Sequence, residues 1–121
     1  MSVDNMKAQM RKGILEYCIL LLLKRDGKLY ANDIIQSLKD ADLIVVEGTL
    51  YPLLSRLKKG GLLNYDTIVS AQGPPRKYYS LTILGEQALA QLQNNWTALE
   101  NTISKLSSKE ENFPIKYEDA L

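Results

Sequence analysis

The chain has 121 residues, 45% of them hydrophobic and 24% charged, with a formal net charge of +1; this is ordinary globular composition with room for one domain and a modest core. The absence of histidine removes the commonest general base and metal ligand, and the single cysteine, Cys18, excludes a disulfide framework and points to a reducing cytoplasm. No window approaches the roughly 18 uncharged apolar residues of a membrane span, and residues 1–10 (MSVDNMKAQM) carry an acid and no apolar block, unlike a signal peptide.

The charge is unevenly distributed. Residues 1–82 hold 12 Lys/Arg against 8 Asp/Glu, a net of +4, whereas residues 83–121 hold 3 against 6, a net of −3. Such asymmetry suits a polyanion partner for the first part, although charge scattered over solvated faces fits these numbers equally well.

Residues 6–25 are predicted to form the first helix, in which Met10, Ile14, Tyr17 and Leu21 recur at the helical period. The apolar run 18–23 marks its second half as the centre of the core, and Asp26-Gly27-Lys28 ends it. A short second helix over 30–40 carries Ile34, Ile35 and Leu38 on its buried side, followed by an extended connector, Leu43 to Val46. In the third helix, 48–59, Leu50, Leu53, Leu54 and Leu57 fall on one face, leaving Thr49, Tyr51, Pro52, Ser55, Arg56 and Lys59 away from it. Pro52 is expected in the first turn, where its missing N–H costs nothing, and Gly60-Gly61 is expected to stop the helix in the left-handed region. Two strands, 62–69 and 77–81, are joined by a tip containing Gly73-Pro74-Pro75. The strands alternate imperfectly, as in a small hairpin with one face on the core, and only one of Tyr78 and Tyr79 can face inward.

The last helix is expected over 82–107 with Thr82 as its N-cap. Leu89, Leu92, Trp96, Leu99, Ile103 and Leu106 are spaced 3, 4, 3, 4, 3, a heptad seam. Such a stripe exceeds what so small a domain covers, which favours a homodimer; packing on the first helix of the same chain is the alternative. Residues 109–121 read as a polar tail that docks by Phe113 and Ile115. The predicted fold is therefore mainly α with a small β-hairpin: a winged helix-turn-helix domain over 1–82, a C-terminal dimerisation helix over 83–108 and the tail.

Helix, basic hairpin, helix is the order in which a winged helix reads double-stranded DNA. The third helix is the candidate recognition element for a major groove about 12 Å wide. Arg56 suits a guanine edge or a phosphate, Ser55 and Tyr51 suit phosphates, and Thr49 suits a thymine methyl. Arg76 and Lys77 at the base of the wing suit the backbone or minor groove, with Gly73 permitting close approach. Lys7, Arg11 and Lys12 either flank the DNA or are simply solvated. The residues show no G-x-x-x-x-G-K-[ST] or G-x-G-x-x-G motif, no metal-ligand set and no base to activate Cys18, so neither an enzyme nor a cofactor is expected.

Two fragments, GTLYPLLSRLKKGGLL (48–63) and GPPRKYYSLTILG (73–85), in this order and spacing, resemble the PadR family of bacterial transcriptional regulators. The likeness spans roughly residues 10–107, and the single C-terminal helix resembles the family's smaller subgroup. It implies a homodimer joined through the C-terminal helices, acting as a transcriptional repressor that a small aromatic compound releases from DNA. It also raises a second role for Trp96: facing indoles across the seam would sandwich a planar effector, with Leu99 and Met10, and more loosely Met6, beside them. Trp96 as plain interface core remains the other reading. The chain departs from the family at Ala31-Asn32, where many members have Gly-Tyr, at Lys58, where many are acidic, and at Thr67, where a tryptophan is common. The alternatives to a DNA-binding regulator are a winged-helix protein-interaction module that does not read DNA and a small-molecule carrier.

Overall fold

The computed structural model describes residues 2–108, so the expected docking of Phe113 and Ile115 lies outside the described residues. The element order is α1 (Val3–Asp26), α2 (Ala31–Asp40), α3 (Glu47–Lys59), β1 (Leu63–Ile68), β2 (Arg76–Leu81) and α4 (Ile83–Ser107). The described residues fall into two compact units divided between Leu89 and Ala90.

In the first unit, α1 begins three residues earlier than expected because Ser2 caps it: the Asn5 N–H donates to Ser2 Oγ at 3.1 Å. It stops at Gly27, whose φ of +88° suits only glycine comfortably and whose N–H donates to the Leu23 carbonyl at 2.8 Å. The buried face of α1 is Leu15, Ile19, Leu20, Leu22 and Leu23. The stripe singled out by periodicity lies beside it: Met10 is 71% exposed, and Ile14, Tyr17 and Leu21 are only partly covered. In a helix with apolar residues nearly all round, two stripes satisfy the period, and packing chooses between them.

The core is completed by Ala31, Ile34 and Leu38 of α2, Val45 of the connector, and Leu50, Leu54 and Leu57 of α3, with Leu63, Tyr79 and Leu89 closing it. Ile35 and Leu53 are half-buried at its margin. Each fully buried leucine or isoleucine contributes about 1.5–3 kcal/mol, and no buried polar or charged residue interrupts the core among the described residues. The turn after α2 places Asp42 at φ +67°, and the Leu43 N–H donates to the Leu38 carbonyl at 2.8 Å.

Two local expectations need correction. Because α3 starts at Glu47, Pro52 lies in its second turn and removes the bond that the Gly48 carbonyl would accept in a regular helix. At its end, Gly60 is right-handed, φ −75°, and Gly61 alone is left-handed, φ +81°.

The strands pair antiparallel from Leu63↔Leu81 to Ile68↔Arg76. Only Leu63 of β1 is buried; beyond it the hairpin leaves the core, and Tyr65 and Ile68 are 36% and 49% exposed. Of the two tyrosines in β2, Tyr79 faces inward and is 7% exposed. Its other edge pairs with Leu29, with N–H···O distances of 3.1 and 2.8 Å in the two directions. This bridge ties the residues before α2 to the wing.

Thr82 joins the wing to α4. The Gly85 N–H donates to Thr82 Oγ1 at 2.9 Å, the Thr82 hydroxyl donates to the Gly61 carbonyl at 2.6 Å, and the Thr82 N–H donates to the Leu62 carbonyl at 3.1 Å. Gly85 permits this docking: a Cβ there would collide with the Leu62 carbonyl. Leu89 is 3% exposed within its own chain, so it is a core residue and not part of an open seam.

In the second unit α4 continues to Ser107. Its remaining seam residues are half-buried Leu92 followed by Trp96, Leu99, Ile103 and Leu106, which are 37%, 45%, 59% and 81% exposed.

Candidate nucleic-acid interface

The exposed side of α3 carries Thr49, Tyr51, Pro52, Ser55, Arg56 and Lys59. At about 100° per residue, Gly48, Pro52, Ser55 and Lys59 sit opposite the buried leucines. Tyr51 and Lys58 lie on the flank toward the wing, and Thr49 and Arg56 on the flank toward α1.

That flank position gives Arg56 a partner the sequence did not reveal. Its Nη2 donates to Glu16 Oε1 of α1 at 2.9 Å, with side-chain exposures of 66% and 41%. An ion pair this exposed contributes about 0.2–1 kcal/mol, so it orients Arg56 without locking it. The other exposed pairs in the first unit are Lys24–Glu86 at 2.8 Å, Arg25–Asp26 at 2.8 Å and Lys28–Asp66 at 2.6 Å. Hydrogen bonding within the second of these raises the Arg25 pKa and holds the Asp26 carboxyl below the usual range.

The wing cations are held differently. Side chains alternate across β2, so Arg76 and Tyr78 share one face, and Lys77 and Tyr79 the other. On the first face the Arg76 guanidinium lies 4.6 Å from the centre of the Tyr30 ring, and Tyr30 stands 5.5 Å from Tyr78. On the second, Lys77 Nζ lies 4.8 Å and Lys58 Nζ 5.7 Å from the Tyr65 ring, which is 5.6 Å from Tyr79. Burial, followed by neighbouring Tyr65 and Tyr51, raises the Tyr79 pKa and keeps its hydroxyl protonated at neutral pH. Tyr30 and Tyr65 are the residues sequence reasoning missed: the alternation of Arg76-Lys77-Tyr78-Tyr79 places one cation and one ring on each face of β2, but nothing local marks the rings that the two cations lie over.

A cleft of about 450 Å³ runs between the wing, α2 and α3, lined by Tyr30, Asn32, Tyr51, Pro74, Arg76 and Lys77 among others. It brings the wing-side flank of α3 and the base of the wing to one opening. The N-terminus of α2 reaches the same cleft, and Tyr30, its N-cap residue, provides no side-chain cap. Free first-turn N–H groups there favour an anion. Gly73 lies in the exposed tip beyond.

The apolar positions proposed for an effector are exposed surface in this chain: Met10 on α1, and Trp96 and Leu99 on α4. Cys18 is half-buried beside an apolar groove of about 360 Å³ formed with Ile14, Leu21 and Leu38, and burial raises its thiol pKa. Among the described residues there is no group of three or more Cys, Asp or Glu that could hold a metal, and no helix long and apolar enough to cross a membrane.

The transcriptional regulator PadR-like family matches residues 19–91. Among solved structures, a PadR-like transcription factor from Bacteroides fragilis is 59% identical, covers 86% of this chain and 100% of its own, and superposes with a TM-score of 0.74. A PadR family transcriptional regulator from Eggerthella lenta is 33% identical over 86% of this chain and 87% of its own, with a TM-score of 0.75. The PadR protein of Bacillus subtilis, solved in complex with operator DNA, is 30% identical over 66% of this chain and 46% of its own, with a TM-score of 0.60. Comparison with curated proteins returns no match.

Proposed function

This chain belongs to the PadR-like family of transcriptional regulators, whose members are regulators and not enzymes, and from that premise we propose that it is a homodimeric, sequence-specific DNA-binding repressor released by a small aromatic ligand. The observation that carries the DNA reading is the shared opening of α3 and the wing, where Tyr51, Arg76 and Lys77 line one cleft. In this reading α3 enters the major groove with Pro52, Ser55 and Lys59 foremost, Tyr51 on the flank toward the wing, and Thr49 and Arg56 on the flank toward α1. The wing lays Arg76 and Lys77 along the backbone, with Gly73 at the tip. The B. subtilis relative, solved in complex with operator DNA, supports duplex DNA as the partner.

Dimerisation is supported by the exposed apolar stripe Trp96, Leu99, Ile103 and Leu106 on α4. Four large apolar residues on one narrow helical stripe are best covered by a second copy. A dimer built on that stripe would bring two Trp96 rings close together, which supports a planar aromatic effector between them, with Leu99 beside them on the same stripe. Lone solvated tryptophans would give no such preference.

The test is salt-dependent binding to duplex DNA by fluorescence anisotropy. Arg76→Ala and Lys77→Ala are each expected to weaken binding and to flatten the slope of log K against log [salt] by about 0.9 for each phosphate no longer neutralised. A dimer docking two wings doubles that change. DNA affinity and slope unchanged by both substitutions would refute the wing assignment.

A further inference from the structure

Two kinds of partner hold cations in the first unit. Lys24, Arg25, Lys28 and Arg56 are paired with carboxylates at 2.6–2.9 Å. Arg76 and Lys77 have no ion-pair partner among the described residues and lie over tyrosine rings instead. The difference matters for a polyanion. A carboxylate fixes a cation by neutralising it, and DNA must then displace the carboxylate. An aromatic face fixes a guanidinium while leaving its charge, with no carboxylate occupying the N–H groups that a phosphate would bind.

The chain explains how Tyr30 reaches Arg76. The Leu29↔Tyr79 bridge fixes the segment before α2 against the free edge of β2. In antiparallel pairing the residue after Leu29 then falls opposite Tyr78, and Arg76 is two residues from Tyr78 on the same face. The observed 5.5 Å Tyr30–Tyr78 and 4.6 Å Tyr30–Arg76 separations follow from that register.

We propose that Tyr30 is a positioning residue of the DNA interface, holding the Arg76 guanidinium in place, still charged, for a DNA phosphate. The inference rests on the DNA reading above and adds to it a residue outside both α3 and the wing. It also ties the placement of the wing charge to the start of α2, so that movement of α2 is transmitted to the wing without any contact to DNA.

The experiment is a double-mutant cycle on the full chain, using a fluorescein-labelled duplex that the wild-type protein selects from genomic DNA of its source. Tyr30→Phe keeps the ring and is expected to bind within about 2-fold of wild type. Tyr30→Leu keeps bulk but loses the π face, and is expected to weaken binding by about 2- to 5-fold per protomer, the size of an exposed cation–π interaction. In an Arg76→Ala background Tyr30→Leu is expected to have no further effect. An equal loss with and without Arg76 would show that Tyr30 acts only through the fold, and a loss in Tyr30→Phe as large as in Tyr30→Leu would assign the effect to the hydroxyl; either result overturns the proposal. NMR of the free protein separates this from the DNA reading. The Arg76 δ-methylene protons are expected upfield in wild type and Tyr30→Phe, and at ordinary positions in Tyr30→Leu. If they are ordinary in wild type, the stacking is wrong whatever the protein binds; if they are shifted but no duplex binds, the DNA reading fails and takes the proposal with it.

Discussion

Replacing Glu16 with glutamine tests how Arg56 is used. In the free protein Arg56 Nη2 donates to Glu16 Oε1 at 2.9 Å, with the two side chains 66% and 41% exposed. Solvent screening at that exposure limits the pair to about 0.2–1 kcal/mol, so Glu16→Gln is expected to lower the stability of the free protein by less than about 1 kcal/mol. A DNA phosphate must compete with Glu16 for the same guanidinium, and the same energy then opposes binding. Removing the carboxylate is therefore expected to tighten DNA binding by about 1.5- to 5-fold per protomer. The salt dependence should steepen by up to about 0.9 per protomer as Arg56 engages a phosphate. Fluorescence anisotropy across a salt series reads both quantities, with thermal unfolding as the stability control. Weaker binding in Glu16→Gln, matched by Arg56→Ala and not additive with it, would refute competition and make Glu16 the residue that aims Arg56 at DNA.

Three further outcomes follow from the packing. Gly85→Ala forces a methyl into the Leu62 carbonyl and is expected to cost about 1–3 kcal/mol of stability, seen as a lower Tm, because backbone must shift. Ile103→Glu places a charge in the exposed stripe of α4, where Ile103 is 59% exposed; sedimentation velocity is expected to show loss of the dimer with the helical circular dichroism signal retained. The Cys18 thiol, its pKa raised by burial, is protonated at neutral pH, and its alkylation is expected to be slower in the native protein than in denaturant until the pH exceeds the ordinary thiol range. Equal rates in the two states would contradict the burial.

Much of the fold was legible because short-range rules dominate it. Thr82 was recognisable as a cap, the leucines of α3 as a buried face, and the hairpin from its Gly-Pro-Pro tip. The errors arose where tertiary packing decides between local equivalents. In α1 two apolar stripes share one period, and the choice of Leu15, Ile19 and Leu22 over Met10, Ile14 and Tyr17 depends on where α2 and α3 lie. Leu89 fits the heptad of α4, but its place near the helix start puts it against the core. At the interface, one-dimensional reading identified exposed residues but not their neighbours. The Glu16–Arg56 pair spans 40 positions in the chain, and the Tyr30–Arg76 contact depends on a single bridge between Leu29 and Tyr79, which leaves no periodic signal.

In the proposed function, this chain reads DNA sequence through a symmetric pair of winged helices. The most direct test mixes the purified full chain with sheared DNA from its own source near physiological salt and sequences the bound fragments. Discrete peaks sharing a two-fold-symmetric motif are expected, abolished when Arg76 and Lys77 are both replaced by alanine. A flat profile from folded, dimeric, ligand-free protein would contradict it and favour a winged helix that binds protein instead.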